Sequence, residues 1–267
     1  MLVDSHCHLN FEDLAARVPQ ILAAMDAAGV GGALCVSVTL EAFPEVEALA
    51  LEHPHLFASA GVHPDYADVE EPSVEHLASL ASRSRVVAVG ETGLDYFRLG
   101  EDVDWQRERF RRHIRAAREV GKPLIVHTRA AAEDTLRILR EEGADRVGGV
   151  MHCFTESLDV ANAAIDLGFM ISFSGILTFR NAESLREVAR SIPIESMLVE
   201  TDSPYLAPVP LRGKINEPAF VRHTAQKLAD LRGLDLPTIA RATTDNFLRL
   251  FRIDATALRP VGGAVNA

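Results

Sequence analysis

Five of the ten histidines in this 267-residue chain stand directly after short apolar runs. His6 and His8 follow Leu2–Val3, His63 follows Phe57–Val62, His127 follows Leu124–Val126 and His152 follows Val147–Met151. Carboxylates take the same place elsewhere: Glu91 and then Asp95 follow Val86–Val89, and Glu200 and Asp202 follow Met197–Val199. Imidazole and carboxylate together form the donor set of divalent-metal hydrolases. His6 and His8 are two apart on extended backbone, so both rings face one way and suit one ion. Each residue alone has an ordinary reading. His152 could be a core histidine donating to a carbonyl, Glu91 could pair with an arginine, and Asp202 could cap the turn at Ser203–Pro204. Their common placement argues for one site. Four histidines with two carboxylates exceed the needs of one tetrahedral ion. They predict two divalent ions about 3.5–4 Å apart, bridged by a carboxylate and a water. The expected ligands are His6, His8, Glu91, His127, His152 and Asp202, with Glu200 as barrel interior or support. His53, His55, His76, His113 and His223 read as surface residues without a role.

The elements that must position these residues alternate along the chain. Two further apolar runs, Ala33–Val38 and Phe169–Phe173, bring the number of candidate strands to eight. Buried parallel strands carry such continuous apolar runs. Amphipathic stretches lie between them. Leu14, Val18, Ile21, Leu22 and Met25 keep helical spacing, as do Phe110, Ile114 and Ala117 ahead of Gly121 and Pro123. Leu136 and Leu139 precede Gly143, Ala161 to Ile165 precede Gly168, Leu185 to Ile192 precede Pro193, and Val221, Ala225 and Leu228 follow the last strand. Eight βα units predict an α/β fold, a single-domain (β/α)8 TIM barrel over residues 1–253, with a frayed C-terminal tail at 254–267. An open doubly wound sheet is the rival, but it would need a Gly-rich first turn where this chain has Asp4-Ser5-His6-Cys7-His8. The Pro- and Gly-rich insert Ser203–Pro218 is expected to cross the barrel mouth, where barrel enzymes carry their chemistry.

Composition narrows the function. Apolar residues at 48 % and charged residues at 24 % suit a soluble globular protein. No apolar run approaches a membrane span and no signal peptide is visible, so a cytoplasmic, membrane-free protein is expected. Cys7, Cys35 and Cys153 form no disulfide framework and fit a reducing compartment. The net charge of −11 opposes an electrostatic grip on a long duplex. It tolerates a substrate with one or two phosphates where metal ions supply the positive charge.

The segments Val3-Asp4-Ser5-His6-Cys7-His8-Leu9, Gly61-Val62-His63-Pro64, Gly90-Glu91-Thr92-Gly93-Leu94-Asp95-Tyr96 and Val126-His127-Thr128-Arg129 carry a family resemblance. So do His152-Cys153-Phe154, Ile171 to Gly175, Val199 to Pro208, Arg212-Gly213-Lys214 and Asn216-Glu217-Pro218. Together they resemble the TatD family of metal-dependent hydrolases, an amidohydrolase-like group of barrels, and its YcfH-like branch most closely. The resemblance runs from residue 3 to about 251. It implies that His6, His8 and Asp202 hold one metal, that His127 and His152 hold the other, and that Glu91 bridges both. It implies a Mg²⁺-dependent deoxyribonuclease, some members trimming DNA from a 3′ end; Mn²⁺ or Zn²⁺ would also suit the donors. Two positions depart from the family: Ala130, where an acidic residue is frequent, and Leu211, where histidine is frequent.

The expected reaction is hydrolysis of DNA phosphodiester bonds at single-stranded ends by a hydroxide bridging the metals. Asp202 acts as general base and Glu91 as the shared catalytic ligand. His63, Arg129, Arg212 and Lys214 are candidate substrate contacts, and Tyr66 or Tyr96 could stack on a base. No obligate protein partner is expected. Two rivals stand beside this reading: a two-metal hydrolase of small-molecule amides or esters, and a metal-stabilised scaffold without activity.

Overall fold

The computed structural model describes residues 1–99 and 103–260. Each expected apolar run forms a strand: β1 (Leu2–Cys7), β2 (Val30–Cys35), β3 (Leu56–Ala60), β4 (Val86–Asp95), β5 (Leu124–Arg129), β6 (Gly149–Met151), β7 (Phe169–Phe173) and β8 (Met197–Val199). Every neighbouring pair is parallel and the sheet order is the chain order. The two edges meet through a parallel bridge between Cys7 and Ser203. There the Asp202 N–H donates to His6 O at 2.9 Å, and the His8 N–H donates to Ser203 O at 2.9 Å. The predicted (β/α)8 barrel is therefore the fold.

The helices of eight residues or more between the strands are α1 (Val18–Ala28), α2 (Phe43–Glu52), α3 (Val74–Ala81), α4 (Asp104–Val120), α5 (Ala132–Glu141), α6 (Leu158–Asp166) and α7 (Glu183–Ser191). Two helices, α8 (Val221–Arg232) and α9 (Leu236–Phe251), follow β8. α4 ends where the sequence predicts, on Gly121 in the left-handed conformation (φ 66°). None of the described helices is long and apolar enough to cross a membrane. Cys7, Cys35 and Cys153 are free thiols.

Six strands, β1 to β6, differ from the expected runs in their bounds, and β2 and β4 show why. β2 begins at Val30 rather than Ala33, because Gly31 and Gly32 lie inside it. Glycine weakens the strand signal, yet here it admits close neighbours: a Cβ on Gly32 would lie 2.9 Å from His55 O. β4 runs past Val89 to Asp95. Its pairing with β5 steps from Val89↔Leu124 to Thr92↔Val126, so one extra residue is accommodated at Gly90–Glu91.

Alternation along the strands separates two apolar layers. One face packs against the surrounding helices, with Ile21, Phe110, Leu139 and Leu228 fully buried there. The other fills the lower barrel with Val3, Leu34, Phe57, Ala88, Ile125, Val150 and Leu198, and is closed by Phe247, Phe251 and Leu258. This corrects the expectation of fraying directly after residue 253. Asp254 caps a short turn of helix at Ala255–Ala257, Leu258 seals the barrel floor, and the Arg259 N–H donates to Gly31 O at 2.9 Å. Residues 261–267 of the expected tail lie outside the described residues.

Candidate metal centre

The site begins where the interior side chains change from apolar to ionisable. On β1 the pairing with β2 steps from Asp4↔Ala33 to Cys7↔Cys35, a second one-residue irregularity. Such bulges re-aim side chains at barrel rims. Below the histidines, Asp4 Oδ1 accepts the Thr201 N–H at 2.8 Å and Oδ2 accepts the Thr201 hydroxyl at 2.5 Å, tying β1 to the end of β8. Burial pushes the Asp4 carboxyl up to about 8 despite these bonds. Cys153 and Asp202 have left-handed backbone (φ 43° and 57°), a conformation that side chains other than glycine adopt mainly where the surroundings impose it.

Glu91 is buried at the centre, and its two oxygens face two donor groups. Oε1 lies 2.8 Å from His152 Nε2, 3.3 Å from His127 Nδ1 and 3.3 Å from His63 Nε2. Oε2 lies 3.3 Å from His6 Nε2 and 4.0 Å from His8 Nε2. Asp202 Oδ1 completes the second group, 3.7 Å from His6 Nε2 and 3.5 Å from His8 Nε2. All six expected ligands therefore converge. His6, His152 and Asp202, then His6, His8 and Glu91, and then His63, Glu91 and His127 each form a cluster with donor atoms within 4.8 Å of one another.

Three of the imidazoles are held by a neighbour that can only accept. His8 Nδ1 donates to Val36 O at 3.0 Å, His127 Nε2 to Asp95 Oδ2 at 3.1 Å, and His152 Nδ1 to Glu200 Oε1 at 3.3 Å. In each the other nitrogen turns a lone pair to the centre, the arrangement of a metal-ligating histidine. His152 Nε2 is buried without a hydrogen-bond partner although Glu91 Oε1 is 2.8 Å away. The nitrogens of His6 and His8 meet at 3.2 Å. Lone pairs crowded against a carboxylate in this way call for a cation between them, so the donors fit divalent metal.

The electrostatics agree. Burial opposes ionisation of Glu91, yet His152, His63 and His6 hold its carboxyl well below the usual range. Burial also disfavours charge on His152, but Glu91 and Glu200 together drive its affinity for a proton well up. Burial raises Asp202, and its bond to His8 with the nearby His6 and His152 brings it below the ordinary value. A centre that draws protons this strongly draws metal cations for the same reason.

The centre opens into a cavity of about 790 Å³ lined by His8, Phe11, Tyr66, Arg129, Cys153 and Tyr205 among others. Arg129 reaches its wall and lies 3.9 Å over the Phe97 ring. Arg212 instead rests on Phe179 at 3.7 Å, and neither it nor Lys214 lines the cavity. The insert after β8 contributes Tyr205 and Leu206 to the wall. Tyr66 also lies there, whereas the Tyr96 hydroxyl donates to Asp134 at 2.6 Å and serves packing.

Sequence reasoning missed Phe11, Tyr205 and the orienting role of Asp95, whereas Glu200, expected as barrel interior or support, is buried and orients His152. It also misplaced His113, which is fully buried rather than on the surface, because α4 turns it inward beside Ile114. A signal was available: Gln106, Arg109 and His113 share the helical phase of Phe110 and Ile114, the core-facing side.

A sequence model of the TatD-related DNases matches residues 3–252. The chain is 51 % identical to the metal-dependent hydrolase YcfH of Escherichia coli (strain K12), over 97 % of this chain and 99 % of that one. It is 34 % identical to the 3′-5′ ssDNA/RNA exonuclease TatD of Escherichia fergusonii, over 94 % of this chain and 99 % of that one. The crystal structure of YjjV, a TatD homologue from Escherichia coli K12, superposes with a TM-score of 0.88 at 30 % identity, covering 95 % of this chain and 98 % of that one. With its barrel and its ring of histidines and carboxylates, the chain belongs to the TatD family of metal-dependent hydrolases.

Proposed function

We propose that this protein hydrolyses phosphodiester bonds of nucleic acid, working on single-stranded ends of DNA with two divalent metal ions. The observation that carries the reading is the paired donor set around Glu91, set at the floor of a mouth walled by aromatic rings and Arg129. His6, His8 and Asp202 would hold one ion, His127 and His152 the other, and Glu91 both. Divalent cations bound there lower the pKa of water and neutralise charge on phosphoryl oxygens. Asp202 keeps its carboxyl ionised and its side chain is 16 % exposed to the mouth, so it can accept the proton of the attacking water. Arg129 offers a planar fork to a phosphate, and the rings of Phe11, Tyr66 and Tyr205 offer stacking surfaces to bases. The name of the Escherichia fergusonii relative supports a nucleic-acid substrate. The free thiols suit the reducing cytoplasm.

The test is a time course on end-labelled single-stranded and duplex oligonucleotides with Mg²⁺ or Mn²⁺, beside a panel of amides and carboxylic esters. Stepwise shortening of the single strand from its 3′ end is expected. Turnover confined to the amide or ester panel would refute the nuclease reading, and no turnover of any substrate at full metal content would favour a scaffold.

A further inference from the structure

The hydrogen on an imidazole is placed by what the other nitrogen touches. His8, His127 and His152 each give an N–H to a carbonyl or carboxylate, so each presents a bare nitrogen to the centre. His63 is wired the opposite way. Its Nδ1 accepts the backbone N–H of Asp65 at 3.1 Å. A backbone N–H can only donate, so Nδ1 carries no hydrogen and Nε2 does. Nε2 points at two acceptors, Glu91 Oε1 and the bare Nδ1 of His127, each at 3.3 Å. A nitrogen that bears hydrogen has no lone pair for a metal ion. Although its position matches the ligands around it, its hydrogen-bonding sense is theirs reversed.

This sense is built in from outside the site. Three buried side chains on one side of α4 hold the backbone on both sides of His63. His113 Nε2 accepts the Val62 N–H at 3.0 Å, and Gln106 Nε2 donates to Pro64 O at 3.1 Å. Arg109 Nη1 donates to Tyr66 O at 2.7 Å and His63 O at 3.3 Å, while its Nε reaches both oxygens of Glu71 at 3.1 Å. With Val62, His63, Pro64 and Tyr66 held, the Asp65 N–H is kept against the ring.

We propose that His63 is no metal ligand but a fixed hydrogen-bond donor, aiming Nε2–H at an anionic oxygen of the bound substrate, and that Gln106, Arg109 and His113 are the residues that position it. The proposal deepens the phosphodiester reading and rests on it for the class of anion. Metal bound by Glu91 and His127 would occupy the acceptors that Nε2–H meets here, leaving it to a phosphoryl oxygen.

The experiment compares wild-type, His63→Ala, His63→Gln and His152→Ala proteins loaded with Zn²⁺, with inorganic phosphate as the probe. Long-range ¹H–¹⁵N correlation is expected to place the His63 hydrogen on Nε2. Metal analysis should find wild-type stoichiometry in both His63 variants and a deficit in His152→Ala. Calorimetry should find phosphate bound about 10- to 100-fold more weakly by His63→Ala, the range for one hydrogen bond to a charged group. His63→Gln, whose amide restores an N–H, should recover most of that loss. A hydrogen found on Nδ1, a lost metal equivalent in His63→Ala, a glutamine variant as weak as alanine, or no phosphate binding by the wild type would each overturn the proposal. None of these readouts uses nucleic acid, so inactivity toward DNA would strike the substrate reading alone.

Discussion

The two ends of the barrel are built from the same strands and do opposite things. At the lower end Val3, Ala88, Ile125, Val150 and Leu198 meet Phe247, Phe251 and Leu258 in an apolar plug. A few residues further along the same strands stand His6, Glu91, His127, His152 and Asp202, with a register step beside His6 and another beside Glu91, and left-handed backbone at Ala130, Cys153 and Asp202. The lower end gains stability by removing apolar surface from water. The upper end concentrates charge and lone pairs that disfavour the folded chain until a cation arrives. Each of these strands thus carries its stability and its chemistry in successive stretches, and changes at one end should leave the other largely intact.

The largest effect is expected at the upper end. Asp202→Asn should lower kcat by about 10²–10⁴-fold with little change in KM, since an amide cannot take the water's proton. Steady-state kinetics on single-stranded DNA with the melting curve unchanged would support the division. A change in KM alone would remove Asp202 from the proton transfer.

The lower end should answer in stability. Phe247→Ala opens the plug beside Phe57 and Phe251 and should cost about 3–5 kcal/mol. Urea denaturation measures this. Metal content and kcat of the folded fraction should remain at wild-type values; loss of metal would show that the ends are coupled.

His113 tests the ground between the two. Burial pulls its pKa down to about 4 from an ordinary 6.5. Between those values the unfolded chain binds more protons there than the folded protein, so stability rises with pH across the window. It is lost as pH falls from about 6.5 to about 4, by roughly 3 kcal/mol. Denaturation of wild-type and His113→Gln proteins from pH 4 to 7 should show a shallower pH dependence in the variant. Equal slopes would place the linkage elsewhere.

The smallest effect belongs to the rim. Arg129 is exposed and already engaged with Phe97, so Arg129→Ala should raise KM only a few-fold. The log–log salt slope of wild-type activity should be about −1 to −2, becoming shallower by about 0.7 in the variant. A steep wild-type slope would reveal a basic surface beyond Arg129.

By itself the sequence determined the eight βα units and the six convergent donors, because apolar runs mark buried parallel strands and the donor side chains follow them directly. These are local signals: a strand end is legible from the chemistry of its neighbours. Tertiary structure alone decided the rest. Arg129, Arg212 and Lys214 looked alike as loop cations, yet only Arg129 reaches the cavity wall, because loop direction depends on distant packing such as Arg212 on Phe179. Leu258 looked like part of a frayed tail until the open barrel floor gave it somewhere to be buried. The sequence already set His63 apart as a substrate contact, but without a physical reason at the ring itself. The structure supplied that reason in the hydrogen-bond partner of one ring nitrogen, Asp65 for His63 against Val36, Asp95 and Glu200 for His8, His127 and His152. An imidazole has two nitrogens and one hydrogen to share between them, and only the folded surroundings choose which nitrogen keeps it.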